Sequence, residues 1–340
     1  NTYFEAMYLL AVLGLASVSA GSSYFLLQEE SVKKEVNVLL EGLLTALTGT
    51  AAEKSALPSG PPDTQRDACV LAVFTFVIFL ANWGVRLVLV EPSAKMVLGL
   101  RREALVKFAQ SVLEAIIYGS FTAIGIAIVP SQTWSWPSEN WWKGFSSGEH
   151  LIMRSDLRCY YLLYGARYFQ AAVTVLLEPK RKDFLEMMAH HLVTIGVVYV
   201  SYLWGWNRIG VVVMILLDPA DVPLHLAKLC KYTGEKTKQA LWQFFADRLF
   251  ELFALLFFVT RLIMFGYVCW SAHLESRKYF THTPAATTCV LLLYTLMVLQ
   301  VYWFCLIIKV AVKLLRGQGV EDPRSDDEDE GAEPNVKKTK

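Results

Sequence analysis

The chain has 340 residues, 54% of them hydrophobic and 19% charged, with a mean hydropathy of +0.38 and a formal net charge of +1. That composition is too apolar for a water-soluble globular fold and fits a polytopic membrane protein. The balanced charge offers no basic field for nucleic acid, so charge is informative only in its distribution along the chain.

A helix crosses a bilayer with roughly 20 predominantly apolar residues, and eight stretches meet that length: 3–27, 68–90, 107–129, 157–177, 184–204, 207–230, 241–270 and 284–315. The expected fold class is therefore all-α. The loop 91–107 carries Lys95, Arg101, Arg102 and Lys107, 178–183 reads "EPKRKD", and 231–239 reads "KYTGEKTKQ". All three are basic, which places them in the cytosol, and the Trp-rich, nearly neutral 130–156 on the opposite face. Segment 28–67 then falls in the lumen and both termini in the cytosol. The acidic run "SDDEDE" from Ser325 reads as a solvated, disordered tail with a serine suited to an acid-directed kinase. The terminal "KKTK", Lys337 to Lys340, resembles a dilysine retrieval signal of the endoplasmic reticulum membrane.

Six cysteines, Cys69, Cys159, Cys230, Cys269, Cys289 and Cys305, show no CxxC pairing. Cys269 and Cys289 flank the loop between the last two spans, which leaves a disulfide there open. No glycine-rich phosphate loop, dinucleotide fingerprint or internal repeat is present.

Ionisable groups inside the spans are costly in lipid and mark function or pairing. His190 and His191 stand in the fifth span, His190 six residues in, or about 10 Å deep at 1.5 Å per residue. Asp221 lies nine residues from Cys230 in the next, antiparallel span, about 14 Å deep by the same rise. Consecutive helices thus bring histidine and aspartate to similar depths. Asp218, Asp221 and His225 form one i, i+3, i+7 stripe, and His190 with Thr194 an i, i+4 pair. Arg167, Asp247, Arg248, Glu251 and Arg261 add to an expected polar chamber. Structural ion pairs, a transport path, and a His/Asp catalytic pair all remain compatible with this spacing.

The segment "KRKDFLEMMAHHLVTIGVVYVSYLWGWNRIGVVVMILLDPADVPLHLAKLCKY", residues 180–232, resembles the Lag motif of the ceramide synthases, within the TRAM-LAG-CLN8 (TLC) family. The likeness extends more weakly from Lys107 through Tyr160 and Tyr161 to Thr260. It departs at Leu217 and His225, where many members carry histidine and glutamate, and it lacks the homeobox-like insert of many animal members. The resemblance implies a six-helix TLC barrel over 91–316, two preceding spans in 1–90 and a tail over 317–340. It implies transfer of a fatty acyl group from acyl-CoA to a sphingoid base in the endoplasmic reticulum membrane, with no cofactor and no metal.

In that reading His190, His191, Asp218 and Asp221 are catalytic. A histidine acts as general base or, as preferred, His190 takes the acyl group as an acyl-imidazole. Lys180, Arg181, Lys182, Lys228 and Lys231 meet the CoA head at the cytosolic mouth, and Tyr160, Tyr161, Thr194, Ser201 and Arg208 contact substrate. The loop 271–283 selects acyl length. A homodimer or a small accessory membrane subunit stays open, as do two other classes: a non-catalytic lipid-binding TLC protein and a transporter.

Overall fold

The computed structural model describes residues 29–100, 102–177 and 183–315. The first expected span, the basic residues Lys180, Arg181 and Lys182, the acidic run and the dilysine end lie outside the described residues. The remainder is helical: α1 Glu30–Thr48, α2 Thr64–Val85, α3 Glu91–Leu98, α4 Arg102–Ile128, α5 Ser155–Leu177, α6 Phe184–Leu203, α7 Asn207–Leu217, α8 Asp221–Thr237, α9 Ala240–Leu256, α10 Phe265–Trp270 and α11 Pro284–Leu315. Among the described residues the only sheet is a two-residue antiparallel pair, Ser59–Gly60 against Met153–Arg154.

Six helical stretches among the described residues are long and apolar enough to cross a membrane: Thr64–Leu98, Ala104–Ser131, Phe184–Leu203, Asn207–Thr237, Ala240–Lys278 and Pro284–Lys313. The expected fourth span forms as α5 but is more polar than these. Its tyrosines and Arg167 are buried, so its neighbours rather than lipid surround it. Helices α4, α5, α6, α11, α9 and α8 pack each on the next and close a six-membered ring, with α2 and α1 laid against α5 from outside.

Local sequence explains the breaks in the ring. Pro219 has no N–H for the α7 ladder, so α7 stops at Leu217 and the Asp221 amide turns back to the Asp218 carbonyl at 3.0 Å. The chain restarts as α8 with Pro223 in its first turn, where the missing N–H has no intrahelical partner to lose. The expected stripe of Asp218, Asp221 and His225 is thus split between two helices. Between α9 and α10 the residues Phe257–Met264 are π-helical, and this wider turn places both Phe257 and Arg261 in the interior. Gly210 opens α7 where α5 crosses; a Cβ there would collide with the Tyr161 hydroxyl.

Several segments read as loops are helical: α8 runs on to Thr237, and 271–278 continues the preceding span as π- and then 3₁₀-helix. Within 28–67, α1 buries Val32, Leu39 and Ala46 at seven-residue intervals against α5 and α2; its overall polarity hides it from a span search, although the periodicity was legible. The basic segment after residue 90 begins as α3, which continues α2 through the π-helical turn Arg86–Val90.

A buried ionic knot ties α1, α2, α5 and α6 together at the end of the bundle remote from residue 183. Arg158 bridges Glu35, at 2.6 Å, and Asp67, while the Tyr202 hydroxyl donates to Asp67 at 2.6 Å. At the same end the loop 130–154 is packed down. Arg208 donates to the carbonyls of Asn140 and Lys143 at 2.8 and 3.0 Å, Asn207 to that of His150, and the Trp142 indole to Ser271 at 2.9 Å. Cys269 and Cys289 are both buried within helices with free thiols. The disulfide left open by the sequence is absent.

Two outcomes follow for stability. Arg158→Met strands two carboxylates in a nearly closed site and is expected to cost about 3–5 kcal/mol in detergent-solubilised unfolding. Arg66→Met, whose side chain is 42% exposed beside the same Glu35, should cost less than about 1 kcal/mol. Equal losses would remove the distinction between buried and exposed pairs. His150, buried with its Nε2 donating to the Lys143 carbonyl at 2.8 Å, has its pKa pushed down from 6.5 to about 4, by burial first and then by the Arg208 cation. The unfolded chain takes up that proton below pH 6.5 and the folded one only near pH 4, so stability should fall across this window as pH drops. His150→Gln should flatten that part of the melting-temperature profile. A profile identical to the parent would assign the acid sensitivity to other groups.

Candidate active site

Inside the ring lies a cavity of about 400 Å³ whose walls come from α2, α4, α5, α6, α8, α9 and α11. At one end stand Arg86, Lys107, Lys228 and Lys231, beside the α8–α9 turn; at the other stand His190, His191, Asp221, Arg261, Arg167 and Trp303. The two walls differ in chemistry. Gln110, Ser111, Glu114, Gln170 and Thr174 line the side of α4 and α5, whereas Phe250, Phe253, Phe257, Ile307 and Val310 line the side of α9 and α11.

The cavity is therefore cationic at its mouth, amphipathic along its length and imidazole-bearing at its base.

The histidines are placed by α6 and by aromatic neighbours. Rings of His190 and His191 lie 5.6 Å apart, Tyr168 stands 5.9 and 5.8 Å from them, and Trp303 meets His190 edge-on at 5.1 Å. Both ring nitrogens of His191 and Nδ1 of His190 are enclosed with no hydrogen-bond partner among the described residues. His190 is only half-buried whereas His191 is buried. The one ring nitrogen of the pair left open is Nε2 of His190, which makes it the accessible nucleophile or base.

The expected orientation of a histidine by Asp218 or Asp221 is not the arrangement found. Asp218 accepts the Tyr164 hydroxyl at 3.0 Å and stands outside the cavity wall. Asp221 does face the cavity, as its depth predicts, but its carboxylate is ion-paired with Arg261. The same guanidinium donates through Nε, at 2.9 Å, and through Nη2 to the Leu217 carbonyl, and it lies 4.9 Å over the Phe257 ring. Arg261 thus satisfies a carbonyl released by the break at Pro219 and a carboxylate at the start of α8. A second pair, Arg167 with Glu114, ties α5 to α4 across the cavity; Arg167 also donates to Gln170 at 3.3 Å.

Other expected residues separate in the same way. Lys228 and Lys231 are at the mouth. Tyr160, Tyr161, Thr194, Ser201 and Arg208 do not line the cavity: Tyr161 bonds Ser201 at 2.7 Å between α5 and α6, Tyr160 packs against Phe121 and Tyr164, and Arg208 holds the far loop. Arg248 and Glu251, expected inside, pair with each other at 2.5 Å on the outer face of α9 and are 56% and 46% exposed. That is tolerable because Ala240–Lys278 spans 39 residues, roughly 58 Å of helix against a hydrocarbon core of about 30 Å, so its first turns extend past the apolar layer. Asp247 accepts from Gln243 at 2.7 Å on the same stretch.

Sequence reading passed over Glu114, Tyr118 and Trp303. Glu114 carried a signal, a carboxylate in an apolar span. Tyr118, whose ring stacks on His225 at 5.7 Å, and Trp303 carried none beyond ordinary span composition.

If the Arg261 clamp organises this base, removing one partner should be worse than removing both. Arg261→Met is expected to lose about 3–5 kcal/mol of unfolding free energy, with part of that loss restored in Arg261→Met/Asp221→Leu. Additive losses in the double variant would mean that the two side chains act independently.

The TLC domain model matches residues 107–309, the stretch that builds the ring and its cavity. The chain is 34% identical over 239 residues to ASC1-like protein 3 of Oryza sativa subsp. japonica, an overlap of 68% of this chain and 81% of that protein. It is 35% identical over 236 residues to ceramide synthase 5 of Homo sapiens, covering 68% of this chain and 57% of the relative. Against the sphingosine N-acyltransferase lag1 of Schizosaccharomyces pombe it is 27% identical over 272 residues, 76% and 64% of the two chains. The chain thus spans little more than half the length of the human relative. With more than half of its residues matched by the family model and a cavity built from that matched stretch, this chain belongs to the TLC-domain family, among its ceramide synthase members.

Proposed function

We propose that the chain is an acyltransferase that moves a fatty acyl group from acyl-CoA to the amino group of a sphingoid base, giving a ceramide, and that His190 carries the acyl group in transit. The observation that supports this most is the open Nε2 of His190 at the base of a cavity whose mouth carries Arg86, Lys107, Lys228 and Lys231. The relatives' names add the substrate class.

The chemistry follows from the two ends. The phosphates of CoA stay with the cations at the mouth, and the pantetheine amides and hydroxyl run along the polar wall of Gln110, Ser111, Gln170 and Thr174. Nε2 attacks the thioester carbonyl, the C–N bond forms and the C–S bond breaks, and the sulfur leaves with the proton released from Nδ1 as CoA thiol. The lipid amine then attacks the acyl-imidazole carbonyl. Its C–N bond forms as the imidazole leaves, and the imidazole regains one proton from the amine. The apolar wall of Phe250, Phe253, Phe257, Ile307 and Val310 limits the access of water to the acyl group between the two steps.

Arg261, paired with Asp221 beside the reacting carbonyl, supplies fixed charge that does not reorganise during the reaction. The basic loops support a mouth that faces the cytosol.

Protein incubated with acyl-CoA and no sphingoid base should gain the mass of one acyl chain, released by hydroxylamine and mapped to the 187–193 peptide. His190→Ala should lose both adduct and turnover, and Asp221→Asn should slow the first step by roughly 10–100-fold. An adduct on His191 would reverse the roles of the two rings, and turnover without any adduct would replace the acyl-imidazole by general-base transfer.

A further inference from the structure

Buried polar atoms without partners are rare in native folds, and each costs free energy unless something supplies the missing bond. Among the described residues five such side chains stand together on the facing sides of α6 and α11. They are His190 through Nδ1, His191 through both nitrogens, Thr194 through Oγ1, Gln300 through Nε2 and Trp303 through Nε1. Gln300 is fully buried, and Thr194, His191 and Trp303 are 5, 6 and 8% exposed. The helices run antiparallel and touch along their length, with His190 against Trp303. Thr194 is one turn beyond His190 on α6, and Gln300 one turn beyond Trp303 on α11, both away from the mouth. Gln300 is tied to the site on its other side, its Oε1 accepting from Arg261 at 3.5 Å. His190, His191 and Trp303 line the cavity, and Thr194 and Gln300 stand directly behind them, one turn past the reacting nitrogen on the side opposite to the entry of CoA.

The substrates of the proposed reaction differ in what they can offer there. The polar groups of acyl-CoA all lie on the sulfur side of the thioester, toward the mouth, and its acyl chain has no donor or acceptor. A sphingoid base is a 2-amino-1,3-diol: the reacting amine is flanked by a hydroxyl one carbon away on each side. When the amine reaches an acyl group on His190, those hydroxyls are within about one helical turn of it, where Thr194, Gln300 and Trp303 have hydrogen-bonding capacity to spare.

We propose that Thr194, Gln300 and Trp303 form the subsite that recognises the hydroxyls of the lipid amine and so separates a sphingoid base from a plain long-chain amine. The assignment rests on the acyl-transfer reading above. For Thr194 and Gln300 it concerns the second half-reaction alone, in which the amine accepts the acyl group; formation of the acyl-enzyme involves neither side chain. Gln300 and Thr194 are the recognising pair, and Trp303 additionally fixes the His190 ring.

The test compares a long-chain 2-amino-1,3-diol with its 1-deoxy and 3-deoxy analogues, using full-length protein in detergent or vesicles, and reads each half-reaction separately. The parent should disfavour at least one deoxy analogue by roughly tenfold or more in kcat/KM, the worth of one well-placed hydrogen bond to a buried group. In Gln300→Leu and Thr194→Val that preference should shrink toward unity, through the diol becoming a poorer substrate, while the rate and extent of acyl-enzyme formation from acyl-CoA stay at the parent level. Gln300→Glu, which keeps the acceptor for Arg261 but loses the Nε2 donor, should lose the preference as Gln300→Leu does.

A parent that treats all three amines alike would overturn the proposal. So would a preference that survives both variants, the result expected if ordered water alone satisfies these atoms, or an equal loss of both half-reactions, the mark of a merely structural role. Absence of any acyl-enzyme in the parent would instead strike the underlying reading of the reaction, so the two failures are distinguishable.

Discussion

The fork of Arg261 is the interaction on which the site depends. A proline just past α7 ends the helix and frees a carbonyl in a region where water cannot satisfy it; the π-helical turn after α9 brings a guanidinium to that carbonyl and to Asp221 together. Planar and permanently charged, arginine can hold both at once where lysine would hold one. The helix break, the start of α8 and the inward turn of Asp221 toward the cavity are consequences of one side chain reaching across from a neighbouring helix. Without it an irregular backbone of this kind has no stable place inside an apolar bundle.

This arrangement divides the molecule by chemistry along its axis. Remote from the mouth, the Arg158 knot and the loop 130–154, pinned by Asn207 and Arg208, close the bundle with buried bonds. In the middle, the tyrosines of α5 fill the ring; Tyr164 and Tyr168 pack at 5.1 Å, and Tyr164 caps Asp218. Toward the mouth the packing opens into the cavity. Beyond the unpartnered atoms beside the histidines the bundle is packed closed, and open space lies in front of them. Loop 271–283 belongs to the closed end: Ser271 receives the Trp142 indole and donates to Glu275 at 2.6 Å, and no residue of the loop lines the cavity. An influence of that loop on acyl length would have to pass through the packed layer between.

Much of the fold was legible because hydropathy and depth are one-dimensional quantities. Six of the expected spans fall on helical stretches long and apolar enough to cross a membrane, a seventh forms the more polar α5, and the rise per residue sufficed to bring His190 and Asp221 to one cavity. What sequence could not carry was direction around each helix. The stripe of Asp218, Asp221 and His225 presumed a continuous helix, and Pro219 turns its first member away toward Tyr164. Arg248 and Glu251 are as charged as Arg167 and Arg261, yet they face outward because α9 outruns the apolar layer. Ser201 and Arg208, set in the motif, and Tyr161 outside it hold helices and a loop in register rather than lining the cavity. Conversely Glu114, Gln300 and Trp303 lie outside the histidine motif, on α4 and α11, and join the site only because the ring closes.

The central claim is that the acyl group rests on His190 before the amine arrives. The most direct measurement is the stoichiometry of CoA thiol released in the first turnover, by rapid mixing with acyl-CoA in the absence of any amine. A burst approaching one thiol per chain is expected, absent in His190→Ala while His191 is intact. Thiol release that begins only when the sphingoid base is supplied would contradict it.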